Sequence, residues 1–452
     1  MRRPARAALA CIAASVTMMG AAQAAAGPAA AAARAASLAS SSPSLLAAWR
    51  AVQAGPAGVR PGNVYPMWRL PVRHPRAGPG ARLTPDTIGE PGGYDPAELR
   101  AYLKLHGTGA GQTVAVTEAF NVRESVLAAV SKYDRWYGLS RPCSHTVTTG
   151  CFRLTFTAPQ GASTSNGLEL SWMAEADLDV EMIHALAPKA SIAVVEGHND
   201  TRASMMAAVD YAQSLHPAAI SNSWGGAEFR AEHGDNSQCP ATGGICVFAS
   251  GDCGNYVAEN CGNGQTPGGY PAADPGVLAV GGTTLSLTPA GRIRSEMAWA
   301  DSGGGISAYE PRSAYQKAAD RYASGRGIPD VSFDADPNSG IAIYVDYVGT
   351  YQGKHFQLNQ LWAEFGGTSV GAPAWSAILA VADQLRAESA IRPLTIAQLH
   401  AAVYAKGVKP VGDITAGANG ICGRICTAGP GYDLVTGEGS PRPGIDSYLA
   451  GH

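Results

Sequence analysis

Between residues 113 and 281, short apolar runs alternate with longer stretches of helical period, and this alternation constrains the fold more than any other feature of the chain. The runs from Thr113 to Thr117, Ser191 to Glu196, Ala218 to Ser223, Ile245 to Ser250 and Val277 to Gly281 read as buried strands. Arg123 to Tyr137, Ser171 to Ala187 and Thr201 to Leu215 read as helices, the second stopped by Pro188. A last helix, Pro373 to Leu385, starts with proline in its first turn. Strand and helix in turn predict an α/β fold in three layers, a mostly parallel sheet with helices on both faces. In such sheets the chemistry gathers outside the carboxyl ends of the strands.

Four features stand at strand ends or helix starts. Phe365-Gly366-Gly367-Thr368-Ser369-Val370-Gly371-Ala372-Pro373 sets a serine among glycines just before a helix. A hydroxyl there faces the positive end of the helix dipole, where developing negative charge is favoured. Taken alone, the run is equally a glycine-rich cap. Glu175 and Asp179 lie at i and i+4, on one helix face, with Asp177 on another. Like charges so placed destabilise a helix unless they share a proton or serve a site; simple complementation of the helix dipole is the bland alternative. Asp252, in Ser250-Gly251-Asp252-Cys253-Gly254, sits in a glycine turn after an apolar strand, where an ordinary turn aspartate also fits. Ser221-Asn222-Ser223-Trp224-Gly225-Gly226 leaves an edge on which an extended peptide can pair, at Ser223, Gly225 and Gly226.

The ordered set, Glu-x-x-Leu-Asp (175–179), Ser-Gly-Asp-x-Gly (250–254) and Gly-Gly-Thr-Ser-x-x-x-Pro (366–373), resembles the sedolisin family of serine-carboxyl peptidases. Tyr270-Pro271-Ala272-Ala273, the stretch from Gly325 to Asp330 and Asp413-Ile414-Thr415 agree with it. The resemblance runs from about Asp95 to the C-terminus and implies a subtilisin-like fold. It further implies hydrolysis of polypeptides in acid, with Ser369 as nucleophile, Glu175 as general base, Asp179 orienting that base and Asp252 as oxyanion partner. Glu118 matches an accessory acid that Trp224 would link to the base. One structural calcium ion is implied too, held by Asp413, Asp433 and the carbonyls of Ile414, Gly429 and Gly431; hard oxygen ligands in glycine turns suit it. Members usually carry a substantial pro-domain, whereas here only residues 25–93 precede the peptidase domain, 94–452.

The chain's beginning predicts export. Arg2, Arg3 and Arg6 precede an apolar run and Ala22-Gln23-Ala24, so residues 1–24 read as a signal peptide, with a secreted or periplasmic destination. Residues 25–93, rich in Ala, Pro, Gly, Ser and Arg, read as a low-complexity linker or pro-segment remnant that buries little, with one helical candidate from Leu45 to Gln53. A net charge of −3 speaks against nucleic acid and anionic membrane as partners, and no transmembrane run is found. A monomer is expected. Once Cys11 leaves with the signal, eight cysteines fall into close pairs, 143/151, 239/246, 253/261 and 422/426, which favours local disulfides over zinc.

Two rivals remain. A Ser-His-Asp peptidase would use His106, in His106-Gly107-Thr108, but its place before the first strand breaks the expected Asp-His-Ser order, and His184 lies on a different helix face from Asp179. A peptide-binding protein that has lost turnover is the other.

Overall fold

The computed structural model describes residues 62–70, 91–157, 168–255, 269–288, 290–318, 325–351 and 354–452. In chain order its first elements are β1 (Tyr65–Pro66), α1 (Pro96–Leu103), β2 (Thr113–Ala119), α2 (Arg123–Tyr137), β3 (Leu154–Thr157) and α3 (Leu168–Leu186). Then come β4 (Ser191–Gly197), α4 (Arg202–Ser214), β5 (Ala219–Asn222), β6 (Trp224–Gly225), β7 (Ile245–Ala249), β8 (Leu278–Leu287) and β9 (Ile293–Ala298). The chain continues through β10 (Gly305–Pro311), β11 (Gly325–Ile328), β12 (Val331–Asp334), β13 (Ile341–Tyr351) and β14 (Lys354–Phe365). It closes with α5 (Gly371–Glu388), α6 (Ile396–Val403), β15 (Val411–Gly412), β16 (Ser440–Pro441) and α7 (Ile445–Ala450).

The main sheet runs β12-β8-β7-β5-β2-β4-β3, all parallel, with β9 antiparallel on β8. Alternation along each strand splits the core between the two faces. Val114, Val116, Val194 and Val247 point to the side packed by α3 and α5, while Ala115, Ala119, Val195 and Phe248 point to the side packed by α4. The three-layer α/β fold expected from the alternation is thus the fold observed.

Local chemistry sets the helix boundaries. Thr201 caps α4 by accepting from the Ser204 N–H, and Gly138 ends α2 in the left-handed region at φ 68°. Asp95 and Glu98 form a reciprocal capping box on α1, which the sequence reading passed over. The β13–β14 hairpin was also unforeseen. Of the expected disulfides, Cys143–Cys151, Cys239–Cys246 and Cys422–Cys426 are formed, whereas Cys261 lies outside the described residues. The signal peptide and the Leu45-to-Gln53 candidate lie outside them as well. Among the described residues no helix is long and apolar enough to cross a membrane.

One expectation fails outright. Residues 62–70, assigned to a stretch that buries little, place Val64, Met67 and Trp68 at 2%, 7% and 2% exposure. Their burial comes from docking across the mouth of the sheet, which composition does not register.

Candidate active site

Ser369 owes its position to the sharp change of direction between β14 and α5. Gly367 takes φ 98°, the left-handed region that glycine enters without strain, and Thr368–Val370 form a single tight turn before the helix. A Cβ on Gly371 would come 2.5 Å from Val280 Cγ1, so the small residue after the turn lets α5 pack directly on β8.

Across from this turn, α3 presents its acidic face. The Ser369 hydroxyl donates to Glu175 Oε2 at 2.9 Å. One turn on, Asp179 accepts hydrogen bonds from the Ser221 and Ser223 hydroxyls at 3.0 and 2.6 Å, which tie it to the end of β5. Asp177 faces elsewhere, as its spacing requires, and accepts from Ser125 Oγ at 3.1 Å. Asp252 follows β7, where its Oδ1 accepts from both the N–H and the hydroxyl of Thr368 at 2.8 Å. Its Oδ2 is buried and has no hydrogen-bond partner. The structure therefore brings Ser369, Glu175, Asp179 and Asp252 together from three separate segments, the two acids of α3, the loop after β7 and the turn before α5.

These carboxyls are held away from water and close to one another. Burial raises Glu175 well above the usual carboxylate range, and Asp179 raises it further, against hydrogen bonds from Ser369 and the Met67 N–H. Burial also pushes Asp179 up to about 7, despite its two serine donors. Asp252 rises to about 6, again through burial, with Arg69 and Thr368 pulling the other way. Among the described residues no ion pair reaches Glu175 or Asp179. A site of this kind keeps protons that ordinary carboxyls lose.

Glu118 ends up near this cluster but without the expected link. It is fully buried, has no hydrogen-bond partner, and is raised by burial and then by Asp179 and Glu175. The Trp224 indole N–H instead donates to Thr117 Oγ1 at 2.9 Å. Alternation along β2 explains the difference: residue 118 points to the α3 side, and residue 117 to the opposite side, where Trp224 packs. His106 pairs with Asp446 on the surface, and His184 is buried against Asp134 and the Ser140 carbonyl. Neither histidine meets Ser369, whose hydroxyl bonds Glu175 and the Ser223 carbonyl.

In the C-terminal loops, Asp433 Oδ2 accepts from the Gly429 N–H at 2.9 Å and Asp413 Oδ2 from the Gly431 N–H at 2.8 Å. The two carboxylates thus grip one glycine turn, and burial pushes Asp433 up to about 6. Both Oδ2 atoms are thus engaged by backbone N–H donors, and only the hard-oxygen chemistry of the residues agrees with the calcium expectation. Among the described residues no group of three or more His, Cys, Asp or Glu could hold a metal.

The cleft already contains a peptide strand, and it is the protein's own. Residues 62–70 run antiparallel along β6, with Tyr65 opposite Gly225 and Pro66 opposite Trp224. The Met67 N–H donates to the Ser223 carbonyl at 3.0 Å and to Glu175 Oε2 at 3.0 Å, and the Met67 carbonyl accepts from the Ser369 N–H at 2.9 Å. Arg69 and Gly366 exchange backbone bonds of 2.9 and 2.8 Å. Gly367 leaves the room this needs, since a Cβ there would lie 2.4 Å from the Met67 carbonyl oxygen and 2.7 Å from Asp252 Oδ2. The chain's own segment thus pairs along Ser223 and Gly225, while Gly226 bonds Tyr270 and lies against Asn63 and Val64. Sequence reasoning missed Met67, Trp68 and Arg69, and it missed Thr368 as the group that holds Asp252. The cluster Val64-Tyr65-Pro66-Met67-Trp68, apolar and aromatic inside an Ala/Gly/Pro-rich stretch, was the available signal.

A parallel sheet packed between helices, with a serine and its carboxylate partner at its carboxyl end, defines the class of subtilisin-like folds. Residues 161–412 match the model of the subtilase family. Kumamolisin of Bacillus sp. (strain MN-32) is 32% identical over 378 residues, covering 78% of this chain and 62% of that protein. Sedolisin of Pseudomonas sp. (strain 101) is 28% identical over 409 residues, covering 84% and 65%. The chain thus spans less than two thirds of the length of either relative. The solved structure of Pseudomonas sedolisin, a serine-carboxyl proteinase complexed with two molecules of pseudo-iodotyrostatin, superimposes with a TM-score of 0.62 at 26% identity, over 80% of this chain and 98% of that one. The chain belongs to the subtilase family and, within it, to the sedolisins, as the ordered motifs led us to expect.

Proposed function

We infer that this chain is an exported, monomeric serine-carboxyl endopeptidase that hydrolyses polypeptides in acid through an acyl-enzyme on Ser369. The single observation that carries the reading is the Ser369 hydroxyl on Glu175, with a peptide carbonyl seated on the Ser369 N–H.

Ser369 Oγ attacks the carbonyl carbon seated where that of Met67 lies, and Glu175 takes its proton. Asp179, held in place by the two serines, lies beside Glu175 and shares the bound protons of the pair. The oxyanion receives the Ser369 N–H and the proton of a neutral Asp252, whose Oδ2, like the Met67 carbonyl oxygen, lies against the Cβ position of Gly367, at 2.7 and 2.4 Å. Glu175 then hands its proton to the departing amine, and a water molecule repeats the sequence on the ester. Neutral Asp252 is a donor only below its titration near pH 6, so the reaction belongs to acid solution. Glu118 adds a further buried carboxyl to the coupled set, without a hydrogen bond to the base. Cleavage within chains, as opposed to removal of tripeptides, is favoured because the strand continues past three residues before Met67, with Asn63 bridging Thr201. Calcium held by Asp413, Asp433 and the carbonyls of Ile414, Gly429 and Gly431 would supply positive charge that pins the C-terminal loops, away from the chemistry.

Residues 25–93 then act as a short pro-segment that blocks the cleft and is the first substrate, ahead of the peptidase domain at 94–452. Incubating the full chain at about pH 4 should yield a new N-terminus at Trp68, read by sequencing and mass spectrometry. Hydrolysis of denatured protein at internal bonds should follow. Ser369→Ala should stay whole. A wild-type chain that remains intact and inert from pH 3 to 8 would return the assignment to a peptide-binding protein.

A further inference from the structure

The geometry points to a pocket on the leaving-group side of the cleft that is built for tryptophan, so that this peptidase cuts on the amino side of Trp. The inference rests on the peptidase reading above and names its substrate class. With the Met67 carbonyl on the Ser369 N–H, the residue whose amine departs is Trp68. Its ring is as deeply buried as a core residue, at 2% exposure, although it belongs to a segment laid across the surface of the domain. The indole N–H donates to the Ser171 carbonyl at 3.0 Å, and the ring lies against Phe365 with centroids 5.2 Å apart.

Both contacts come from the catalytic elements themselves. Ser171 is on α3, one turn before Glu175, and Phe365 ends β14, four residues before Ser369. A backbone carbonyl in a helix cannot rotate away, so it rewards a donor at the indole position and offers nothing to Phe or Leu. The neighbouring positions are less defined. Arg69 reaches Asp252 from a partly exposed site, with its Nη2 on the Asp252 carbonyl at 2.8 Å. Met67 lays a flexible thioether against Gly225, where a Cβ would approach its methyl to 2.5 Å. Shape and a directional hydrogen bond coincide only at Trp68.

The test uses the full chain after acid incubation and internally quenched peptides Val-Tyr-Pro-Met-X-Arg, with X as Trp, Phe, Leu, Ala or benzothienylalanine, which keeps the ring shape but has no N–H. We expect kcat/KM to be about 100-fold higher for Trp than for Ala, with benzothienylalanine about tenfold below Trp. Cleavage should fall between Met and X. Any of the protein's own strand still in the cleft scales every peptide alike, so the ratios survive it. Phe365→Leu should shrink the Trp/Ala ratio, which is independent of any general loss of activity in the variant. Cleavage of all five peptides at similar kcat/KM would overturn the tryptophan pocket and leave the peptidase intact. No cleavage of these peptides or of any denatured protein would overturn both.

Discussion

Two sets of buried carboxylates in this molecule have been given opposite surroundings. Asp330, on the loop between β11 and β12, is fully buried, and burial alone would push it up. Arg326, however, grips both its oxygens at 2.8 and 2.6 Å and holds it below the usual carboxylate range, with His400 and Tyr404 adding to the effect. Glu175, Asp179 and Asp252 are buried to a similar degree, yet their hydrogen-bond partners are serine, threonine and backbone groups, the one cation near them, Arg69, stands 3.9 Å from Asp252, and all three are raised. Burial therefore does not decide what a carboxyl is for. A fixed cation makes it a permanent charge that ties elements together, whereas hydroxyl partners leave it a proton carrier near working pH.

Exchanging single groups should separate the two sets. The largest effect belongs to the site: Ser369→Ala, by peptide hydrolysis, should lower kcat/KM on the order of 10⁴-fold or more. Its unfolding free energy should move by no more than about 1 kcal/mol, since only one hydroxyl is lost. Asp330→Asn should do the reverse. Stranding Arg326 in the core should cost about 3–5 kcal/mol in urea unfolding, while the pH profile of the remaining folded enzyme stays unchanged. If Asp330→Asn moved the pH optimum instead, the division between tie and carrier would be wrong.

Smaller effects probe the proton carriers. Asp179 and Asp252 bind protons more tightly in the folded protein, at about 7 and 6, than in the unfolded chain near 4. Their contribution to stability is complete below about pH 4 and is lost as pH rises to about 7, the reverse of ordinary acid denaturation. Scanning calorimetry should therefore show the melting temperature falling across that window. For activity, Asp252→Asn donates at every pH and should flatten the decline above pH 6, although it lowers the maximum. Parallel profiles for this variant and wild type would exclude a protonated Asp252. The smallest effect is expected from chelation, a drop of a few degrees in melting temperature if calcium stabilises the loops through Asp413 and Asp433. An unchanged melting temperature would leave those loops held by their own hydrogen bonds.

The sequence disclosed the parts of the site that are fixed over short range. A serine in a glycine turn before a helix, two acids one helical turn apart, and an acid after an apolar strand each carry their geometry in a few residues. Helix limits were legible for the same reason: α2 was read from Arg123 to Tyr137, the limits observed. What failed depended on partners distant in sequence. Trp224 was matched to Glu118, because a linear reading does not establish which neighbour on β2 faces it. The aromatic cluster at 64–68 was passed over because its burial exists only once the cleft is assembled. The burial of Asp252, and hence its retained proton, required the Thr368 turn to be folded against it.

The two backbone bonds between Arg69 and Gly366 have a kinetic consequence. If the chain is severed after Met67, the piece ahead of the cut diffuses off and is diluted, but Trp68 and Arg69 remain attached to the enzyme through residues 70–93. The freed amine is then a product on a leash, present at an effective concentration set by that tether and untouched by dilution. The first turnover would be unimolecular, with a rate independent of protein concentration. Afterwards every incoming chain would compete with the tethered end for the leaving-group half of the cleft. Full activity would therefore lag behind the first cut, and shortening the tether by a second cut between 70 and 93 would end the lag.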